Sequence, residues 1–250
     1  MLEKIEGIVL KTHNYGETNK IVTIFSRKIG KFNAFARGAN KPRSRMAAVT
    51  QPFILGQFFV YINPGLSTIR QGDIIDSFRS IREDIERTAY AAYIAELTDK
   101  LFDDKAPDPY LFDQFVHTMR RLGTDDELQV PVLMYEMKAF KKGGFQPNVS
   151  YCVHCRNTEG TFSFSIADGG LLCTNCRMRD ETALPLTPVQ VKLLQIFQTV
   201  RIEQVRNISV KPDNKAFFRQ LFDAYYDRYG GYYLKSRKFL NQLDKFKDFD

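Results

Sequence analysis

Ile21-Val22-Thr23-Ile24-Phe25-Ser26-Arg27-Lys28-Ile29-Gly30-Lys31-Phe32-Asn33-Ala34-Phe35-Ala36-Arg37 reads as two β-strands joined by a tight turn. Val22 and Ile24 alternate with Ile21, Thr23 and Phe25. Past the turn, Phe32, Ala34 and Ala36 alternate with Lys31, Asn33, Phe35 and Arg37, the period of 2 expected of a half-buried strand. Working outward, the strands span Thr18–Ser26 and Gly30–Ala39, preceded by Lys4–His13 and followed by Phe53–Ile62 and Leu66–Asp76. In Phe53–Ile62 the residues Phe53, Leu55, Gln57, Phe59 and Tyr61 share one face. Asn14-Tyr15-Gly16 and Asn63-Pro64-Gly65 are turns. Asn40–Pro52, with two prolines, reads as a longer loop. Five strands with no long helix predict a small closed barrel. The five-stranded OB-fold leads, with an SH3-like barrel as the alternative.

The whole chain has 250 residues, a length suited to two domains. Hydrophobic residues at 44% and charged residues at 26% are ordinary for a globular protein and set aside disorder. No stretch approaches the ~18 apolar residues of a membrane span. The first residues read as a strand rather than a secretion signal, so a cytoplasmic protein with reduced thiols is expected. The formal charge is +7, and its distribution is informative. Residues 1–80 carry 12 Lys/Arg against 5 Asp/Glu, whereas residues 81–250 carry 24 of each. The whole excess lies in the barrel, which is therefore expected to meet a polyanion.

From Ile81 the period becomes helical: Ile81, Ile85, Ala89, Tyr93, Leu97 and Leu101 mark a first helix. Asp108–Leu122, stopped by Gly123, and Glu127–Lys142, ended by Gly143-Gly144, follow. Pro188–Thr199, Asp213–Tyr229 and a last segment, helical from Leu234, complete the pattern. The boundary is expected near Asp76–Ile81, giving an OB-fold over 1–80 and an α-helical domain over 81–250, an α+β multidomain chain.

All four cysteines lie in one segment, Cys152-Val153-His154-Cys155 and Cys173-Thr174-Asn175-Cys176, the pattern C-x2-C-x17-C-x2-C. Two residues between thiolates let both sulfurs of a knuckle reach one tetrahedral ion, so this spacing predicts a zinc ribbon inserted at about 148–180. Thr161–Ile166 alternates like a strand, and Asp168-Gly169-Gly170 supplies a hairpin turn. No βαβ context favours a redox pair. Four protein ligands close the coordination shell, so one structural Zn²⁺ per chain is expected, with His154 outside the ligand set. The segment is poor in large apolar residues, and metal binding would stabilise it.

Between Arg27 and Arg45 the sequence places seven basic residues and no acidic one. Arg37, Lys41, Arg43 and Arg45 fall on the loop after the third strand, with Lys28 and Lys31 nearby. A cationic loop beside a barrel is suited to a phosphate backbone, and Tyr15, Phe32, Phe35 and Tyr61 are candidates for base stacking. About half of those rings must face the core. No P-loop, nucleophile elbow or zinc-protease motif is present, and His13, His117 and His154 lie in no acid/base setting. The expectation is a binding protein with no catalytic residues.

In their order, Gly7-Ile8-Val9-Leu10, Tyr15-Gly16-Glu17, Ile21 to Ser26, Gly30-Lys31, Ala36-Arg37-Gly38-Ala39 to Arg45, the cysteine ribbon, and Tyr233-Leu234-Lys235-Ser236-Arg237-Lys238-Phe239-Leu240 resemble the RecO recombination-mediator family of bacterial DNA repair. The resemblance covers the whole chain. It implies an N-terminal OB-fold and a helical domain with a zinc element. It implies binding of single- and double-stranded DNA, annealing of complementary strands, and help in loading RecA onto SSB-coated strands at the bacterial nucleoid. The partners it implies are RecR, often RecF, and the C-terminal tail of SSB. Carried residue by residue, phosphate contacts fall to Arg37, Lys41, Arg43 and Arg45, supported by Lys28 and Lys31, and zinc falls to Cys152, Cys155, Cys173 and Cys176. The alternative class is an OB-fold/zinc-ribbon transcription or RNA-binding factor.

Overall fold

The computed structural model describes residues 2–205 and 209–247; residues 206–208 and 248–250 of the region read as the helical domain lie outside the described residues. Strands β1 (Leu2–Tyr15), β2 (Asn19–Ser26), β3 (Gly30–Ala36), β4 (Leu55–Tyr61) and β5 (Ser67–Asp76) close a barrel in the order β1-β2-β3-β5-β4. β1 pairs back onto β4, and β3 runs parallel to β5, the OB-fold arrangement. The alternation read from sequence sets the faces. Val22, Ile24, Phe32, Ala34 and Ala36 point inward and are buried with Phe58 and Val60.

The link between β3 and β4 is not all loop. It contains a short helix, α1 (Arg45–Val49), whose Val49 and Met46 pack on the barrel core. Their burial outweighs the turn-forming composition around them.

Phe25 alternates out of the barrel yet is fully buried. Helices cover it. After α2 (Arg79–Arg82) come α3 (Ile85–Leu101) and α4 (Pro109–Thr124). Phe102, Phe112 and Phe115 meet Phe25 edge-on, with centroids 5.4, 5.5 and 6.0 Å away. The helix expected to run on from Ile81 breaks instead at Glu83-Asp84. The Asp84 carboxylate accepts the Arg87 N–H at 2.9 Å and caps α3, a competition short acidic side chains win at helix starts. Ile85, read as core, is consequently 67% exposed. Asp108 caps α4 in the same way, and α4 runs through Gly123 rather than stopping there.

The segment between α3 and α4 seals the barrel. Beyond the pairs Ala34↔Ser67 to Ala36↔Ile69, the edge of β3 is covered by a bridge from Lys31 to Asp104, where the Lys105 N–H donates to the Lys31 carbonyl at 2.7 Å. The approach requires Gly30: at φ +81°, an added Cβ would lie 2.5 Å from the Ala106 carbonyl oxygen.

A second group of elements comprises α5 (Gln129–Lys142), β6 (Asn148–Cys152), β7 (Phe162–Ser165), β8 (Gly170–Cys173), β9 (Leu184–Pro185), α6 (Pro188–Thr199) and α7 (Pro212–Tyr229). β7 and β8 form an antiparallel hairpin flanked by β9 and by β6, which is parallel to β8. α5 is buried along most of its length and carries two polar side chains inside. Glu136 is fully buried and takes a two-pronged bond from Arg219 of α7 at 2.7 and 2.8 Å. Lys138 donates to the Phe197 carbonyl at the C-terminal end of α6, at 2.8 Å. The last helix, α8 (Lys235–Lys247), returns to the barrel group. The chain thus forms two compact units, Met1–Leu128 with Leu234–Asp250, and Gln129–Tyr233.

Candidate nucleic-acid interface and metal centre

The strands deliver the cysteines. β6 ends on Cys152 and β8 on Cys173, and each knuckle then turns tightly. The Arg156 N–H donates to the Cys152 carbonyl at 2.9 Å, and the Cys176 N–H to the Cys173 carbonyl at 3.0 Å. All four sulfurs lie within 4.8 Å of one another, with Cys155 and Cys173 3.5 Å apart. Sulfurs about 2.3 Å from one tetrahedral ion stand about 3.8 Å apart, so this quartet could hold a metal ion.

Its protons are unevenly held. Burial pushes the Cys152 thiol up, but backbone groups of Cys155, Cys173 and His154 outweigh it and bring the value down to about 6. Burial and the neighbouring thiols push Cys176 up to about 12. A bound dication would remove that imbalance by holding every sulfur as thiolate. His154 stands apart from the sulfurs, with Nε2 3.0 Å from Asp168 Oδ2.

The basic residues divide into two kinds. Lys31 is largely enclosed, with Nζ bonded to the Asp99 carbonyl and 3.2 Å from Asp104 Oδ1. Lys28 pairs with Glu3 at 2.6 Å. The structure therefore sets Lys31 in the seal between barrel and helices rather than beside the loop cations. Arg37, Lys41, Arg43 and Arg45 are all exposed, and their side chains have no ion-pair or hydrogen-bond partner among the described residues.

The backbone under those four is ordered by its own bonds. The Asn19 side chain accepts the Gly38 N–H at 2.9 Å, and the Asn40 N–H donates to the Thr18 carbonyl at 2.9 Å. Asn40 Nδ2 also donates to Asn14 Oδ1 at 3.1 Å. Successive turns follow, Lys41 N–H to Gly38 and Ser44 N–H to Lys41, with Arg43 at φ +57°. The cationic stretch is a chain of tight turns tied to the β1–β2 hairpin, and Arg45 opens α1. Asn19 and Asn40 went unread in the sequence; their only signal was two amide side chains flanking turns.

Beside these turns the barrel's outward face carries a row in which rings alternate with Ile21 and Thr68. Strand register sets His13 against Ile21, Ile21 against Phe35, Phe35 against Thr68, and Thr68 against Tyr61. Tyr15, 55% exposed, meets Phe35 edge-on at 5.9 Å, and Tyr61 is 42% exposed. Phe32 belongs to the core and drops out of the stacking candidates. The row gives flat apolar surface, and the adjoining turns give unpaired positive charge, the two components of a single-strand binding surface.

Among the described residues no helix is long and apolar enough to cross a membrane. Residues 1–78 match the family described as Recombination protein O N terminal, and residues 82–238 match Recombination protein O C terminal. The chain is 54% identical to the DNA repair protein RecO of Oceanobacillus iheyensis, over 98% of this chain and 95% of that one. It is 45% identical to the DNA repair protein RecO of Bacillus pumilus, over 99% and 96%. It is 44% identical to that of Bacillus subtilis, over 99% and 97%. With an OB barrel, a helical body and a four-cysteine cluster in one chain, and both family halves matched in order, this chain belongs to the RecO family of DNA repair proteins.

Proposed function

We propose that this protein is a recombination mediator in DNA repair. It binds single- and double-stranded DNA through the barrel of residues 1–80, anneals complementary strands, and helps RecA load onto SSB-coated strands. The four unpaired cations on the anchored turns beside the ring row carry this reading. Their phosphate contacts lower the repulsion between two strands, and no bond is made or broken, so the protein is a binder rather than an enzyme. It works in the cytoplasm, at the nucleoid.

RecR, RecF and the C-terminal tail of SSB are the partners that the family supports. Residues 81–250 form the helical body, with the ribbon at about 148–180. The ion we assign to Cys152, Cys155, Cys173 and Cys176 is one structural Zn²⁺, since four closely placed thiolates suit a soft tetrahedral ion and leave no position for water.

The test is annealing of complementary oligonucleotides over a salt series without ATP, with and without an SSB coat. Annealing that fades with salt and survives the coat is expected. Replacing Arg37, Lys41, Arg43 and Arg45 by alanine is expected to reduce the single-strand salt slope by up to about 3, at ~0.7 per phosphate contact. An unchanged slope would remove the turns from the interface. Tight binding without annealing, with RNA bound as well as DNA, would move the protein to the transcription or RNA-binding class.

A further inference from the structure

The C-terminal motif is not accounted for by the barrel site. α8 joins the barrel unit by its inward face, with Leu240 fully buried and Leu234, just before the helix, almost fully buried. Its first turn is held by α3, where Glu96 Oε2 accepts the Ser236 N–H at 2.8 Å and also the Ser236 hydroxyl. A carboxylate at a helix N-terminus satisfies donors the helix itself cannot. Three residues along α3, Asp99 pairs with Lys11 of β1 at 2.5 Å. One turn of α3 therefore fastens both α8 and the barrel wall.

Among the described residues, the outward face at the start of α8 is exposed. Lys235, Lys238 and Phe239 stand at i, i+3 and i+4 and so share that face. Both lysines are exposed and have no side-chain partner among the described residues, while Phe239 is 44% exposed. No acidic residue occurs from 228 to 243.

We propose that this face is a second strand-binding surface, on which Lys235 and Lys238 contact phosphates and Phe239 stacks on a base. The proposal rests on the reading of the barrel as the first DNA site. Polyanionic charge with flat apolar groups is what this face complements. A single exposed ring is too little apolar surface for a membrane. Annealing needs two strands held together, and one compact unit with two cationic faces supplies that.

The experiment uses the full chain with K235A, K238A and F239A combined. These exposed helix positions favour alanine, and an unchanged urea midpoint verifies folding. The probes are a fluorescein-labelled oligo-dT and a complementary oligonucleotide pair. Expected results are oligo-dT affinity within about threefold of the parent, annealing at least tenfold slower, and recovery when Lys235 and Lys238 are arginine with Phe239 retained. Parental annealing rates would overturn the proposal. So would binding of an acidic peptide that the triple variant loses while its annealing is unaffected, which would give the face to a protein tail. The barrel reading fails separately, if the four-alanine barrel variant binds oligo-dT like the parent.

Discussion

Lys31 on β3 and Arg37 just past its end share one side by strand period, yet their surroundings differ. Lys31 is enclosed between Asp99 and Asp104, while Arg37 is exposed and has no ion-pair partner among the described residues. Lys31→Ala leaves a half-neutralised acidic pair against the barrel and is expected to cost about 2 kcal/mol in urea unfolding, with DNA affinity retained. A loss of affinity with unchanged stability would return Lys31 to the interface. The sequence showed that Lys31 points outward but gave no signal that residues near position 100 fold over it. Lys138 makes a different prediction. Burial pulls its pKa down to about 8, against some attraction from Glu203. Between about pH 8 and the ordinary lysine value, the unfolded chain binds a proton that the folded protein has released. Unfolding free energy therefore rises with pH in that window. The stability of the parent protein relative to Lys138→Met is expected to grow from pH 7.5 to pH 10, and a flat difference would show that the ammonium is already well solvated.

At the level of elements, the ribbon depends on its quartet. β7 and β8 are four residues each, too little sheet to persist alone. Cys173→Ser is expected to abolish metal retention, read by elemental analysis, and to lower the stability of the Gln129–Tyr233 unit. Metal content still at one ion per chain would refute the four-sulfur site. Cysteine spacing made this element legible, because two tight knuckles are a local constraint. The five strands were legible for the same reason, through alternation and turn residues. The break at Asp84 and helix α1 were not, because a cap and a short buried turn compete with longer periodic patterns on terms that only packing decides. The cations of the candidate interface were legible as types. Their separation into exposed and enclosed groups depends on contacts 68 or more residues away in sequence.

At the level of the molecule, the barrel does not end where its strands end. Phe25 is sheltered by Phe102, Phe112 and Phe115, and the β3 edge is closed by residues 104–106. A fragment of residues 1–80 would expose that ring and that edge. It is expected to be poorly soluble, whereas a well-dispersed amide spectrum from it would show that the barrel stands alone. The unit is also completed by α8, which arrives from the far end of the chain. During synthesis, α3 leaves the ribosome long before its partner helix exists. At roughly 5–20 residues per second that wait is on the order of ten seconds. The Glu96 carboxylate and the surface around it stay uncovered until the residues of α8 have been made. Completion of the barrel unit is thereby timed by the synthesis of α8, more than 130 residues after α3.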